Sequence, residues 1–172
     1  MGREVRRVPK DWRHPKDAAG RFVPLFGGSV SEEQAEWDDG AEQWARGFAR
    51  GYGKDDPKWV PKDDADKACS WEEWHGKRPV AEDYMPDWPK AERTHWQLYE
   101  HVSEGTPMSP PMESPEALAA YLADFETFDK LPYETWLGMI RRGWAPSGVI
   151  DNEVMRSGVE FVGTGAKWSD ER

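Results

Sequence analysis

Apolar residues recur at helical spacing in several parts of this chain, which is the pattern of helices that bury one face. Ser31 with Gln34 has the spacing of a capping box. Ser114 followed by Pro115 suits a helix start, and Gly143 suits a helix end. The helices are predicted at about 31–50, 89–104, 114–127 and 132–142, with a shorter turn of helix at 70–75.

Short apolar runs beside prolines and glycines predict a small sheet built from both ends of the chain. Prolines confine the first two runs to sheet edges, because proline has no backbone N–H for a central ladder. The runs lie at 5–8, 21–25, 148–150, 153–155 and 159–162. Loops are expected at 54–67, 76–88 and 106–115, the last as an extended connector. The predicted fold class is therefore α+β, with about four helices packed with a small, mostly antiparallel sheet and long irregular loops.

The composition indicates an aromatic core. Leu, Ile, Val and Phe together are only 25 of the 172 residues, whereas 22 residues are aromatic and 11 of those are Trp. Each buried aromatic side chain removes roughly 150–250 Å² from water, so these rings can replace missing aliphatic side chains. The length predicts one domain over 1–172, in which 1–30 is an extended basic segment and 54–70 a charged loop.

Charge is spread unevenly along the chain, whose net charge is −10. Residues 1–30 carry a net charge of +4, residues 31–68 carry −5 and residues 69–172 carry −9. Phosphate contact needs a basic footprint, which only 1–21 offers, so direct nucleic-acid binding by the whole domain is disfavoured. The acidic remainder is either an ordinary solvated surface or a face for a basic partner that itself binds nucleic acid.

No motif for catalysis, a cofactor or a metal is present. Cys69 is the single cysteine, and its spacing from His75 matches no recognised metal site. The glycines near lysines at 51–54 and 163–167 lack phosphate-loop spacing. The sequence therefore favours a role without catalysis, cofactor or metal. The charged opening residues and the lack of a long apolar run predict a cytoplasmic protein that does not enter membranes.

Tryptophan is the strongest sign of an interaction surface. Trp, Tyr and Arg are enriched among the residues that contribute most to protein–protein binding. Trp71, Trp74 and Trp88 lie beside acidic residues and outside the predicted helix faces, so they are the candidate partner-binding anchors. The alternative is that these loop tryptophans are tucked into a small core.

Several short motifs are spread along the chain: REVRRVP at 3–9, EDYMP at 82–86, ERTHW at 92–96, EGTP at 104–107 and GWAPS at 143–147. In these motifs the chain resembles a family of small Trp-rich proteins of tailed phages and prophages. The resemblance implies a phage gene product and carries no catalytic residues to this chain.

Together, the motifs and the charge suggest a non-catalytic phage accessory protein that binds a host protein or protein complex. Its sharpest form is an inhibitor of a host defence system such as a CRISPR effector, acting through an acidic, Trp-bearing surface. One alternative is a small hydrolase or metal-dependent enzyme. Another is a component of the phage virion or of its assembly.

Overall fold

The computed structural model describes residues 2–52, 58–100, 105–124, 130–145, 148–151 and 154–163. The chain divides into two compact units. The sheet unit comprises Met1–Gly27 and Asp87–Arg172, and the tryptophan unit comprises Gly28–Pro86. Helices and antiparallel strands occur together, which confirms the α+β class. The single domain over 1–172 stays a prediction, because compactness does not report how the units unfold.

The elements follow one another in chain order as β1 (Arg3–Val8), α1 (Val30–Ala45), β2 (Phe48–Arg50), β3 (Trp59–Pro61), α2 (Asp64–Lys67), α3 (Trp71–His75), β4 (His95–Glu100), α4 (Pro115–Asp124), α5 (Tyr133–Arg142), β5 (Trp144–Ala145), β6 (Gly148–Asp151), β7 (Val154–Ser157) and α6 (Gly158–Gly163). A 3-10 turn at Ala81–Asp83 lies in the stretch expected to be a loop.

The sheet of the sheet unit has the order β4–β1–β5, with antiparallel pairs. β1 was expected at an edge, but it lies at the centre because β5 from the other end of the chain pairs with Arg3 and Glu4. The proline-rich connector is extended, as predicted, and runs along the outer edge of β4. Met112 and Trp96 exchange two backbone hydrogen bonds of 2.8 Å there.

The two faces of this sheet have different chemistry. Val5 and Leu98 are opposite each other on one face, which packs against the helices over an apolar core. Arg6 and Gln97 are opposite each other on the second face, which is covered by the segment that follows β1. Because side chains alternate along a strand, one stretch of β4 serves an apolar core and a polar layer at once.

The helix predicted at 89–104 is wrong, since its centre forms β4. His95, Leu98 and Tyr99 do fit a helix stripe, yet the same stretch also alternates with a period of two residues. Pairing with β1 decides between the two patterns, because it satisfies the backbone of both strands. Residues 101–104 lie outside the described residues.

The two helices after the connector are confirmed over the described residues, and 125–127 of the first prediction lie outside them. Ser114 begins α4 by accepting a hydrogen bond from Ala117 N at 3.0 Å, and Gly143 ends α5 at φ +84°. The buried residues of this core include Leu118, Trp136 and Val159. The strand expected at 159–162 is wrong, because this run is α6, and so short an apolar run fits either structure.

The three remaining strand predictions have different outcomes. The runs predicted at 148–150 and 153–155 correspond to the antiparallel pair β6 and β7. The strand predicted at 21–25 is wrong, because the segment makes a single bridge between Phe22 and Lys16. Pro24 has no backbone N–H, so this short segment has too few hydrogen-bond donors to pair as a strand.

In the tryptophan unit, α1 begins and ends earlier than predicted. Ser29 is the N-cap residue, so the predicted capping box of Ser31 and Gln34 is wrong, and the Gln34 amide instead donates to Pro79 O at 2.8 Å. The chain turns at Gly47, where φ is +93°, and returns as β2 paired with β3. The loop expected at 54–67 is wrong where β3 pairs with β2 and where Asp63 caps α2, and residues 54–57 lie outside the described residues. The short helix predicted at 70–75 is confirmed as α3.

Candidate functional site

The aromatic side chains of the tryptophan unit form one group, which we call the aromatic cluster: Trp37, Trp44, Tyr52, Trp71, Trp74 and His75. Trp71 lies at its centre. Its ring centroid is 5.4 Å from that of Trp74 and 4.4 Å from that of His75, with nearly parallel planes. Such ring pairs are worth about 0.5–1.5 kcal/mol beyond the area they bury. The cluster therefore supplies the core of this unit.

A capping box fixes the short helix that carries two of these tryptophans. Ser70 Oγ accepts from Glu73 N at 3.2 Å, and the Glu73 carboxylate accepts from Ser70 N at 2.7 Å. The hydrogen bonds that the Glu73 carboxylate accepts from Ser70 N and from Ser70 Oγ, the second at 2.8 Å, hold the pKa of Glu73 below its usual value. Trp71 and Trp74, three residues apart on α3, therefore project from one side of a helix whose start is fixed.

Gly40 makes room for the central ring. It is buried in α1, and a Cβ atom added there would lie only 2.7 Å from Trp71 Cη2. Such an approach is far inside van der Waals contact, and the ring is enclosed by its neighbours. Gly40, which weakens the helix by its own propensity, is therefore required for packing.

The cluster has an exposed edge. Tyr52 is 79% exposed, and its ring centroid lies 5.8 Å from that of the half-buried Trp74. On Trp44, the Lys62 ammonium lies 3.8 Å from the ring centroid, so a cation already rests on an aromatic face of this cluster. Tyr52, and in part Trp74, therefore expose ring surface beside a ring that already contacts a cation within the chain.

Acidic residues dominate the tryptophan unit. It contains fifteen Asp and Glu against eight Lys and Arg, a net charge of −7. Asp38 receives two hydrogen bonds from Arg78, at 2.9 and 2.8 Å, and these hold the pKa of Asp38 below its usual value. Burial raises the pKa of Tyr84, and the nearby charges of Glu33 and Asp83 add to this effect. The unit therefore carries an excess of negative charge even though ion pairs form within it.

The three predicted anchors have different surroundings. Trp71 is only 6% exposed, so it offers a partner little surface, and its indole N–H has no acceptor among the described residues. Trp74 stacks on it and is half-buried. Trp88 belongs to the sheet unit, where its ring centroid is 4.7 Å from that of Trp12. The structure thus brings Trp71 and Trp74 together and places Trp88 in another group; their role in partner binding stays a prediction.

Four side chains on the second face of the sheet form another group, which we call the polar network: Trp12, His14, Gln97 and Tyr99. The Tyr99 hydroxyl donates to Gln97 Oε1 at 3.0 Å and accepts from Trp12 Nε1 at 3.0 Å. His14 Nδ1 lies 3.3 Å from the same hydroxyl, and His14 Nε2 donates to Val23 O at 2.6 Å. The network therefore ties the segment after β1 to β4 through side chains.

Burial sets the protonation of this network. It raises the pKa of Tyr99 to about 12, so the phenol stays protonated and can donate. Burial also lowers the pKa of His14, with the charge of Arg6 acting in the same direction. The Arg6 guanidinium lies 4.3 Å from the Tyr99 ring centroid and donates to Leu25 O at 2.8 Å. A neutral histidine and a neutral phenol thus lie beside a buried, hydrogen-bonded cation.

The residues weighed for metal binding are used otherwise. The Cys69 thiol lies 3.6 Å from Asp66 O, and His75 stacks on Trp71. In the described ranges, no three His, Cys, Asp or Glu side chains are grouped as metal ligands. Sequence reasoning missed Tyr52, whose neighbours in the cluster are far along the chain, and His14 with Gln97, which no local spacing connects.

No helix among the described residues is long and apolar enough to cross a membrane. Comparison of the chain with protein-family models, with curated proteins and with solved structures gives no match.

Proposed function

We propose that the protein is a non-catalytic binding protein whose tryptophan unit holds a basic segment of a partner protein. The observation that carries this proposal is the exposed Tyr52 lying against Trp74 in a unit with a net charge of −7. An exposed ring pair in an acidic unit combines an apolar anchor with a charged surface, the usual anatomy of a protein interface.

The chemistry favours Lys or Arg on the partner. Lys62 on Trp44 is the same kind of contact made within the chain, at 3.8 Å from the ring centroid. A partner's cation on Tyr52 or Trp74 would gain the ring contact and the attraction of the net negative charge of this unit together. Such complementarity raises association rates and weakens as salt screens the charges.

In its sharpest form, the proposal is that a phage accessory protein acts in the host cytoplasm. It would bind a basic, nucleic-acid-binding host complex such as a CRISPR effector and inhibit it by occupying its groove. Its supports are the motif resemblance and the excess of acidic residues, with 33 Asp and Glu against 23 Lys and Arg. A virion or assembly component is the second form of the proposal, and mass spectrometry of purified particles separates the two.

The test is an affinity pull-down of the tagged protein from host lysate, with and without nuclease, read by mass spectrometry. We expect one stoichiometric host complex that survives nuclease and is released as salt rises. Tyr52→Ala should lower its yield by about tenfold, the loss typical of an aromatic anchor. Trp144→Ala is the matched control, because Trp144 is an exposed aromatic of the sheet unit.

A charge change sharpens the test. Glu72→Lys alters the acidic surface within α3, and Glu92→Lys makes the same change in net charge at an exposed position of the sheet unit. Weaker capture by Glu72→Lys alone supports binding through the tryptophan unit. Equal effects of both variants, or capture that does not respond to salt, would count against it.

A further inference from the structure

A cavity of about 330 Å³ opens in the sheet unit, beside the polar network. Its walls come from the segment after β1, from β4, from the proline-rich connector and from α4; the argument uses His14, Phe22, Gln97, Met108 and Ser109. The volume lies at the lower end of the range of roughly 300–1,000 Å³ for small-molecule sites. It has room for one ring with a small substituent.

The polar side chains of this cavity are held in place. His14, Gln97 and Ser109 are each less than 9% exposed. Ser109 Oγ accepts from Leu98 N at 3.0 Å and donates to Pro110 O at 3.0 Å, which uses its one donor and one of its two acceptor sites within the fold. Fixed, buried polar groups of this kind set the orientation of a ligand, because they do not rearrange to meet it.

Gln97 provides the hydrogen bond to a ligand. Its Oε1 accepts from Tyr99, and one N–H of Nε2 donates to Ser109 O at 2.7 Å, so the amide orientation is fixed. An amide nitrogen carries two N–H groups, and the second has no acceptor among the described residues. An oxygen acceptor in the cavity would satisfy it, which favours a ligand with a carbonyl group.

The cavity favours an uncharged ligand. None of the described residues that line it is Asp, Glu, Lys or Arg, and the buried imidazole of His14 is neutral near pH 7 because burial lowers its pKa. A carboxylate or an ammonium group would lose hydration there without meeting an opposite charge among the lining residues, although the Lys16 ammonium group lies 4.7 Å from the Phe22 ring centroid. Phe22 and Met108 supply apolar surface for the body of the ligand.

We propose that this cavity binds a small, uncharged ring compound whose carbonyl oxygen accepts a hydrogen bond from Gln97. The site lies in the sheet unit and is independent of partner binding by the tryptophan unit. The ring packs on Phe22 and Met108, and the carbonyl group replaces the missing acceptor of the Gln97 amide.

Benzamide is the probe, with benzoate and benzylamine as ring-matched anionic and cationic comparisons. Titration of the full ¹⁵N-labelled chain should shift the Gln97 side-chain amide, with a Kd on the order of 1 mM for so small a ligand. Benzoate and benzylamine should bind at least about tenfold more weakly, because each loses the hydration of a charge. No shift with benzamide, or equal binding of benzoate, would overturn the proposal.

Phe22→Ala tests the location of the site, because Phe22 lines the cavity and is itself 40% exposed. It should weaken benzamide binding at least about threefold through lost apolar contact. Phe48→Ala, a phenylalanine of matched exposure at 38% in the tryptophan unit, should leave binding unchanged. Equal binding by wild type and Phe22→Ala would show that benzamide binds elsewhere, and the assignment of this cavity would fail.

Discussion

The tryptophan unit and the sheet unit build their cores from different residues. Between Gly28 and Pro86 the chain has no Leu and no Ile but five Trp, and all six Leu and both Ile lie in the sheet unit. The sheet unit accordingly packs Leu98, Leu118 and Leu122 between a sheet and helices. The tryptophan unit stacks rings over short elements. One chain therefore holds an aliphatic core and an aromatic core.

The two cores differ in what they tolerate. Aliphatic side chains fill space in many orientations, so the sheet unit should be most sensitive to the removal of volume. Planar rings need flat, open neighbours, so the tryptophan unit should be most sensitive to added volume. Gly40 against Trp71 is the clearest case of such a neighbour.

Leu118→Ala should have the largest effect. Leu118 is fully buried, and its truncation should cost about 3 kcal/mol of unfolding free energy through lost contact and a cavity. Urea unfolding followed by the indole N–H signals of Trp136 and Trp44 reports on the two units separately. If 1–172 is one domain, both signals should vanish together at the lowered urea concentration.

Leu131→Ala is the control for this change. Leu131 lies only partly buried against the same core, so its truncation should lower the free energy of unfolding by less. Loss of the Trp136 signal alone, with the Trp44 signal unchanged, would contradict the single domain and define two independent folding units. Equal costs at both positions would contradict the assignment of Leu118 to the centre of the core.

Gly40→Ala should have the second largest effect, opposite in sign to simple helix propensity. Propensity alone predicts a gain of about 1 kcal/mol, whereas overlap with the Trp71 ring should cost about 2 kcal/mol. Thermal and urea unfolding measure the difference. Ala35→Gly, at an exposed position of the same helix, should lower the free energy of unfolding by about 1 kcal/mol. This variant measures the effect of helix propensity alone in α1. A stabilised Gly40→Ala protein would show that the cluster is loosely packed.

The sequence predicted elements whose signals are local. Ser114 with Pro115 begins α4 and Gly143 ends α5, because capping depends only on residues next to the helix end. The helix predicted at 89–104 failed because both periodicities fit it, and only pairing with β1, far away in the chain, favours the strand. Rules that use only neighbouring residues cannot identify that pairing strand.

The candidate sites were harder to predict for the same reason. Trp71 and Trp74 share α3, the short helix predicted at 70–75, yet the burial of Trp71 depends on Gly40, 31 residues earlier, and the role of both as partner-binding anchors stays a prediction. His14 meets Tyr99 across 85 residues. A composition rich in Trp predicts that rings will pack together, but only the fold decides which ring is covered and which one remains exposed.

The smallest expected effect concerns the polar network, which has no counterpart in the aromatic cluster. Burial lowers the pKa of His14 from its ordinary value of 6.5. The unfolded chain therefore binds a proton more readily than the folded one, so stability is greatest above pH 6.5 and falls as the pH drops below it. Urea unfolding of the wild type at a series of pH values on both sides of this point should show the decline.

His14→Gln should remove that part of the decline, because glutamine does not titrate and its amide can still donate to Val23 O. The carboxyl groups of Asp17 and Asp38 do not interfere, since hydrogen bonds from Arg21 and Arg78 hold their pKa values below the usual range, far from this window. Direct titration of the His14 ring by NMR measures the pKa of His14 in the folded protein independently. Identical pH dependence in wild type and His14→Gln would mean that His14 is solvated, and the polar network would then be no more buried than an ordinary surface.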